Sequence, residues 1–136
     1  MLDVRPSPIA GTWYEGNKET LARVVDNFLN NAQLPALDGE VIGVIAPHAG
    51  HQYSGAVAGY AFAVIKELKP DLVAVISPFH NYSNHPLLTT AHDAYGTPLG
   101  RIEVDKSAMA ELSSHLDIPI TPVFADKEHS LEIELP

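Results

Sequence analysis

Two apolar stretches of this chain each run into a proline and then a histidine. Positions 44–48 read VIAPH and positions 75–80 read VISPFH, so a β-type run ends in the same way twice. His48 and His80 are 32 positions apart, close to the length of a strand, a crossover helix and the next parallel strand. Because the carboxyl ends of parallel strands meet at one sheet edge, where ligands bind in open α/β folds, this spacing predicts two imidazoles facing one crevice.

Helical and strand patterns alternate along the chain. Apolar residues at 21, 24, 25, 28 and 29 form a helical stripe that follows Asn17 as a predicted N-cap. The runs 41–46 and 72–77 are predicted to be parallel strands, buried on both faces and joined by a helix over 54–69. The remaining predicted elements are strands at 87–90, 101–104 and 118–124 and a helix over 106–116 capped by Asp105. This order predicts an α/β fold with a mostly parallel sheet and helices on both faces.

Size, charge and composition restrict the function. A chain of 136 residues is long enough for one hydrophobic core, so we expect a single domain over 1–136. A net charge of −9 opposes binding to nucleic acid or to anionic membrane surfaces. Without cysteine, a metal would need nitrogen and oxygen ligands. The N-terminus lacks the pattern of a secretory signal, and no apolar run is long enough to span a bilayer, which predicts a cytoplasmic protein.

The C-terminal stretch 128–136 mixes acidic and apolar residues without a stop signal. We expect the chain to be the N-terminal half of a longer domain, because a domain rarely ends within an apolar pattern. Apolar surface left uncovered would then favour a homo-oligomer. The acidic residues Glu128, Glu132 and Glu134 are interpreted most simply as a solvated face.

Five segments together resemble the Memo-like family (AmmeMemoRadiSam system protein B). They are RPSPIAGTWY at 5–14, PHAGHQYSG at 47–55, SPFH at 77–80, TPLG at 97–100 and EHSLEIELP at 128–136. Members of this family are similar to class III extradiol dioxygenases, which are non-haem iron enzymes. The resemblance therefore implies an extradiol-dioxygenase (LigB)-like fold. It also implies radical-SAM and Ammecr-type proteins as partners.

The resemblance places His48 and His80 at two metal-ligand positions and implies an iron or copper ion as cofactor. The other pocket residues of the family belong to its second half. His51 stands where the family usually has tyrosine, which adds a third candidate metal ligand.

Chemistry sets the remaining requirements of such a centre. A non-haem iron site commonly uses two histidines and one carboxylate. Glu128 and Asp93 are the candidate carboxylates, and Glu128 has the alternative role of orienting an imidazole. His129 is a candidate catalytic base for a substrate hydroxyl. His85, His92 and His115 are assigned no role.

Two classes of function are consistent with these residues. The first is a metal-dependent oxidoreductase, or dioxygenase-like enzyme, acting on a small molecule. The second is a non-catalytic module that binds a peptide or protein in the same pocket. Fold similarity does not choose between them. The acidic net charge and the scattered arginines disfavour recognition of a phosphate group and favour the metal site.

Overall fold

Three helices and five short strands form the regular structure of the computed structural model, which describes residues 1–136. The helices are α1 (Lys18–Asn31), α2 (His51–Ile65) and α3 (Lys106–Ser114). The strands are β1 (Val4–Arg5), β2 (Leu87–Thr90), β3 (Ala94–Thr97), β4 (Gly100–Glu103) and β5 (Ile120–Val123). A single 3₁₀ turn, Glu132–Glu134, lies near the C-terminus. None of the helices has both the length and the apolar character that crossing a membrane requires.

The strands form two small sheets. β1 pairs in parallel with β3, with Val4 opposite Ala94, and β3 pairs antiparallel with β4. β2 and β5 form a separate parallel pair, with Leu87 opposite Ile120. The α/β class is confirmed, with one mixed and one parallel sheet in place of a single extended sheet.

Local sequence signals predict several elements correctly. The Asn17 side chain accepts a hydrogen bond from the backbone N–H of Thr20 at 3.0 Å, and Asp105 accepts one from Ala108 at 2.8 Å. Each bond satisfies a donor that a helix start leaves without an intrahelical partner. The strands predicted at 87–90, 101–104 and 118–124 are also present, with ends shifted by two residues at most. The predicted start of α2 at position 54 is wrong, because the helix begins three residues earlier at His51.

Two glycines allow α1 and α2 to approach each other closely. A methyl group on Gly59 would lie 2.6 Å from the backbone oxygen of Phe28, and one on Gly55 would overlap the Phe28 ring. Any larger residue at these positions would push the helices apart.

The predicted strands 41–46 and 72–77 are wrong for the structure of this chain. Neither segment pairs with a strand, and Ile42, Ile45 and Ile76 are 97, 97 and 96% exposed. A strand requires backbone hydrogen bonds to a neighbour, and an apolar sequence by itself does not provide that neighbour. The predicted βαβ unit is therefore absent, and α2 connects two segments without regular structure.

The core lies where the N-terminal segment meets α1 and the C-terminal turn. Ile9, Tyr14, Leu21 and Ile133 form its buried apolar cluster, and Leu21 is fully buried. The nearby Arg5 and Glu132 are also buried. The two ends of the chain thus pack against each other and bring residues 125–134 next to residues 5–14.

Candidate metal centre

Three histidine rings lie side by side at one place in the structure. The ring centroids of His48 and His80 are 5.3 Å apart. His80 stacks on His129 at 4.7 Å, with an angle of 6° between the ring planes. The structure therefore brings His48 and His80 together, although the segments before them form no strands.

Glu128 holds His80, His129 and Ser130 together through four hydrogen bonds, none of which involves His48. Its carboxylate accepts from the backbone N–H groups of His80, His129 and Ser130 at 2.7, 2.9 and 3.0 Å, and from Nδ1 of His80 at 2.8 Å. Burial opposes ionisation of Glu128, but these bonds outweigh it and lower the pKa to about 2. Glu128 is consequently an ionised acceptor at neutral pH.

The Glu128 bond determines which nitrogen of His80 is free. An ionised carboxylate only accepts, so Nδ1 of His80 carries a proton. The lone pair of Nε2 is then available, and this is the form in which a neutral imidazole binds a metal. Of the two roles predicted for Glu128, orienting an imidazole is the one its hydrogen bonds favour, and the oriented ring is His80.

Ser130 ties the loop of Glu128 to the segment that leads to His80. The Ser130 side chain is fully buried and donates to the carbonyl oxygen of Pro78, while it lies 3.0 Å from the Ser77 hydroxyl. These contacts join residues more than 50 positions apart in the sequence. The relative position of His80 and Glu128 therefore depends on side-chain hydrogen bonds, because no sheet connects their segments.

The donor set suits a transition metal. One nitrogen of His80, one of His129 and one oxygen of Glu128 all lie within 4.8 Å of one another. Imidazole nitrogen and carboxylate oxygen are normal ligands of iron, and imidazole also suits copper and zinc. The His80 side chain is 42% exposed, so an ion has access from solvent. The centroid of the Trp13 ring lies 4.2 Å from the centroid of the His129 ring.

A buried ion pair supports the loop beneath the centre. The guanidinium of Arg5 donates to the Glu132 carboxylate at 2.7 Å, and the exposed fractions of the two side chains are 3 and 0%. Arg5 also donates to the backbone oxygens of Ala125, Asp126 and Glu128. These hydrogen bonds fix the backbone conformation of residues 125–128, just before His129.

The interpretation of Glu128, Glu132 and Glu134 as a solvated face is wrong. The Glu128 side chain is 13% exposed, Glu132 is fully buried and Oε1 of Glu134 is buried. The Glu132 carboxylate accepts hydrogen bonds from Ser7 and Tyr14 as well as from Arg5. Burial raises the pKa of Tyr14 to about 12 with further contributions from Glu132, although the Ser7 hydrogen bond acts in the opposite direction. One feature of the sequence pointed to a role for this ion pair, because Arg5 and Glu132 both lie in segments that carry the family resemblance.

Two candidate ligands lie outside the group. Nε2 of His51 is 3.4 Å from the backbone oxygen of Ile133, and its ring meets the Phe28 ring edge-on. Burial lowers the pKa of His51. The Asp93 carboxylate accepts the backbone N–H of Asp3 at 2.9 Å. His51 and Asp93 therefore have neighbours other than the three histidine rings, while Glu128 is the carboxylate that contacts the His80 ring.

Comparison with known proteins identifies the family of this chain. The family model described as Memo-like protein matches residues 5–136. A MEMO1 family protein from Pyrobaculum aerophilum is 34% identical over 143 residues, which cover 99% of this chain and 51% of the relative. A protein memo-1 homolog from Caenorhabditis elegans is 34% identical over 134 residues, covering 97% of this chain and 37% of the relative. The chain belongs to the Memo-like protein family, and it spans about half the length of the curated archaeal relatives it matches.

Proposed function

We propose that this chain forms a nitrogen- and oxygen-ligated metal centre and acts as a metal-dependent oxidoreductase of the extradiol-dioxygenase-like type. The observation that carries the proposal is that His80 lies next to the adjacent residues Glu128 and His129, although His80 and Glu128 are 48 positions apart in the sequence. Glu128 also sets the tautomer of His80. An imidazole held in its metal-binding form by a carboxylate is a recurring feature of metal sites. The proposal concerns the metal site and a reaction of a small molecule there. The radical-SAM and Ammecr-type partner proteins that the family resemblance implies stay predictions.

The residues of the site have distinct proposed roles. His80 and His129 would hold the ion through ring nitrogens, and His48 would supply a third imidazole beside His80. Glu128 orients His80 and would add negative charge to the site. Iron or copper, when bound, would supply one-electron chemistry and coordination sites for dioxygen and substrate. The alternative role of His129 as a base requires a ring nitrogen that is not bound to the metal.

Metal content of anaerobically purified protein tests this proposal. We expect near-stoichiometric iron or copper by plasma mass spectrometry in the wild type and only trace metal in His80→Ala. Replacing Glu128 by Gln removes the charged acceptor and should weaken metal affinity by about 10- to 100-fold. His115→Ala is the matched control, because this histidine is exposed at the end of α3 and contacts only its own helix.

The opposite result would favour the second class of function. Equal trace metal in the wild type and in His80→Ala would rule out the metal centre for this chain. The pocket would then be studied as a peptide-binding site, for which the exposed edges of Trp13 and His80 provide an accessible rim. If metal is bound, oxygen consumption with catechols and related small aromatics would test turnover.

A further inference from the structure

A cavity separate from the histidine group lies between the two long helices and the C-terminal segment. It has a volume of about 260 Å³ and an apolar lining that includes Val25, Phe28 and Phe62. Gly55 and Gly59 of α2 also line it, together with Ile133 and Leu135. An engineered apolar cavity of about 150 Å³ is known to admit benzene, so one aromatic ring with a short side arm is of suitable size.

Two buried polar atoms at this cavity have no hydrogen-bond partner. They are Nδ1 of His51 and Oε1 of Glu134, and both residues line the cavity. Because each atom lacks any partner, they do not bond to each other. Buried polar groups are almost always paired, so two atoms without partners, on residues that line one cavity, call for an explanation.

Both atoms act as acceptors. Nε2 of His51 faces the backbone oxygen of Ile133, which can only accept, so the proton of the ring belongs on Nε2 and Nδ1 has a bare lone pair. When Glu134 is ionised, its carboxylate oxygens likewise only accept. The missing partner must therefore bring donors, and a ligand that offers only acceptors, such as a carboxylate, would leave both atoms unsatisfied.

The geometry points to a binding site for a small primary amine with an apolar body, its ammonium group facing Glu134 and His51 and its body among the aromatic rings of α1 and α2. An ammonium group has three donors and no acceptor, which matches the unpaired atoms. The net charge of −9 attracts cations to the protein. This inference does not depend on the proposed metal centre.

The ionisation of Glu134 supports this choice. Burial raises the pKa of Glu134 to about 7, so near neutral pH both forms occur and a neighbouring positive charge would favour the ionised one. A bound ammonium would supply that positive charge. A neutral alcohol of the same shape would offer one donor and no charge.

Calorimetric titration with three compounds of matched shape tests the site: phenethylamine, phenethyl alcohol and phenylacetate. We expect the amine to bind the wild type at least about tenfold more tightly than the alcohol, and phenylacetate not to bind. In Glu134→Gln the amine should lose about tenfold or more in affinity while the alcohol is unchanged. Glu111→Gln is the control, because Glu111 is an exposed acid on α3, outside the cavity.

A second variant locates the ligand. Ala58 lines the cavity, so Ala58→Leu should fill part of it and weaken the amine and the alcohol together. Equal affinity for amine and alcohol in the wild type would overturn the inference. If neither Glu134→Gln nor Ala58→Leu changed the affinity for the amine, the inference would also be overturned, because the amine would then bind elsewhere. If Ala58→Leu fails to fold, the Glu134→Gln comparison still decides between these outcomes.

Discussion

The two sides of the candidate centre are held in very different ways. Glu128 and His129 lie at the end of a loop that Arg5 and Glu132 hold by a buried ion pair and backbone hydrogen bonds. His48 and His80 follow the apolar segments 41–46 and 72–77, which pair with no strand. The first region, which we call the clamp, consists of Arg5, Tyr14 and Glu132 with loop 125–128. The two apolar segments are the second region.

The comparison shows that a residue's type does not by itself determine its burial. Charged Glu132 is 1% exposed, because Arg5, Ser7 and Tyr14 satisfy its oxygens. Apolar Ile76 is 96% exposed, because no element covers its segment. Burial follows the availability of partners, which are hydrogen-bonding groups for a charge and packed surface for an isoleucine.

Breaking the clamp should have the largest effect on stability. Glu132→Gln leaves the buried Arg5 charge uncompensated, which typically costs about 3–5 kcal/mol in the free energy of unfolding. The control is Glu103→Gln, which removes an exposed ion pair with Arg101 at 3.2 Å and should cost less than about 1 kcal/mol. Urea unfolding followed by circular dichroism measures both. Equal small losses in the two variants would mean that the clamp does not form in solution.

Truncating one apolar residue in each region measures how differently the core and the apolar segments are covered. Leu21 is fully buried in the core that adjoins the clamp, so Leu21→Ala should cost about 2–5 kcal/mol. Ile76→Ala removes atoms already in water and should change the free energy of unfolding by less than about 0.5 kcal/mol. A loss for Ile76→Ala as large as that for Leu21→Ala would show that segment 72–77 is covered in solution. Repeating the measurement over a range of protein concentrations would then show whether a second copy covers it.

A smaller, pH-dependent effect is expected at His92, which connects the N-terminal segment to loop 125–128. Its ring nitrogens lie 3.1 Å from the Asp3 carboxylate and 2.9 Å from that of Asp126, and its side chain is 8% exposed. The hydrogen bond to Asp126 raises the pKa of His92, burial lowers it, and Asp3 raises it, with a net increase. Asp93 lies beside Asp3, and the Lys106 ammonium binds the His92 backbone oxygen.

The sign of the effect follows from the raised pKa. The contribution of His92 to stability is fully present below its unfolded pKa of about 6.5 and is lost as the pH rises through the higher folded value. The stability difference between wild type and His92→Phe should therefore be largest near pH 5 and should shrink toward pH 9, by less than about 3 kcal/mol in total. Urea midpoints across this range measure it, with exposed His85→Phe as the control. A difference that stays constant with pH would show that the ring is not charged in the folded state.

Sequence reasoning succeeded where a feature depends on neighbouring residues. Asn17 and Asp105 cap their helices as predicted, because a cap and the backbone N–H that donates to it are three residues apart. It failed for segments 41–46 and 72–77, because pairing requires a partner that no local pattern specifies. It also missed the burial of Glu132, whose partners Arg5, Ser7 and Tyr14 lie more than 100 positions away.

The same division applies to the candidate site. The sequence alone indicated that His48 and His80 share one place, and the resemblance of short motifs indicated the family. The tertiary structure decided that Glu128 orients His80, that His129 joins the group and that His51 lines a separate cavity.

The chain's own sequence determined its α/β character, the starts of α1 and α3 and its family, because these depend on local backbone preferences and on short motifs. Only the tertiary structure decided which charges are buried, which apolar segments lie in water and which imidazole nitrogen is free. Those properties depend on contacts between residues far apart in the chain, such as Arg5 with Glu132 and His80 with Glu128. A hydrogen bond of this kind requires both partners to be in place at once, and that condition is met only in the folded molecule.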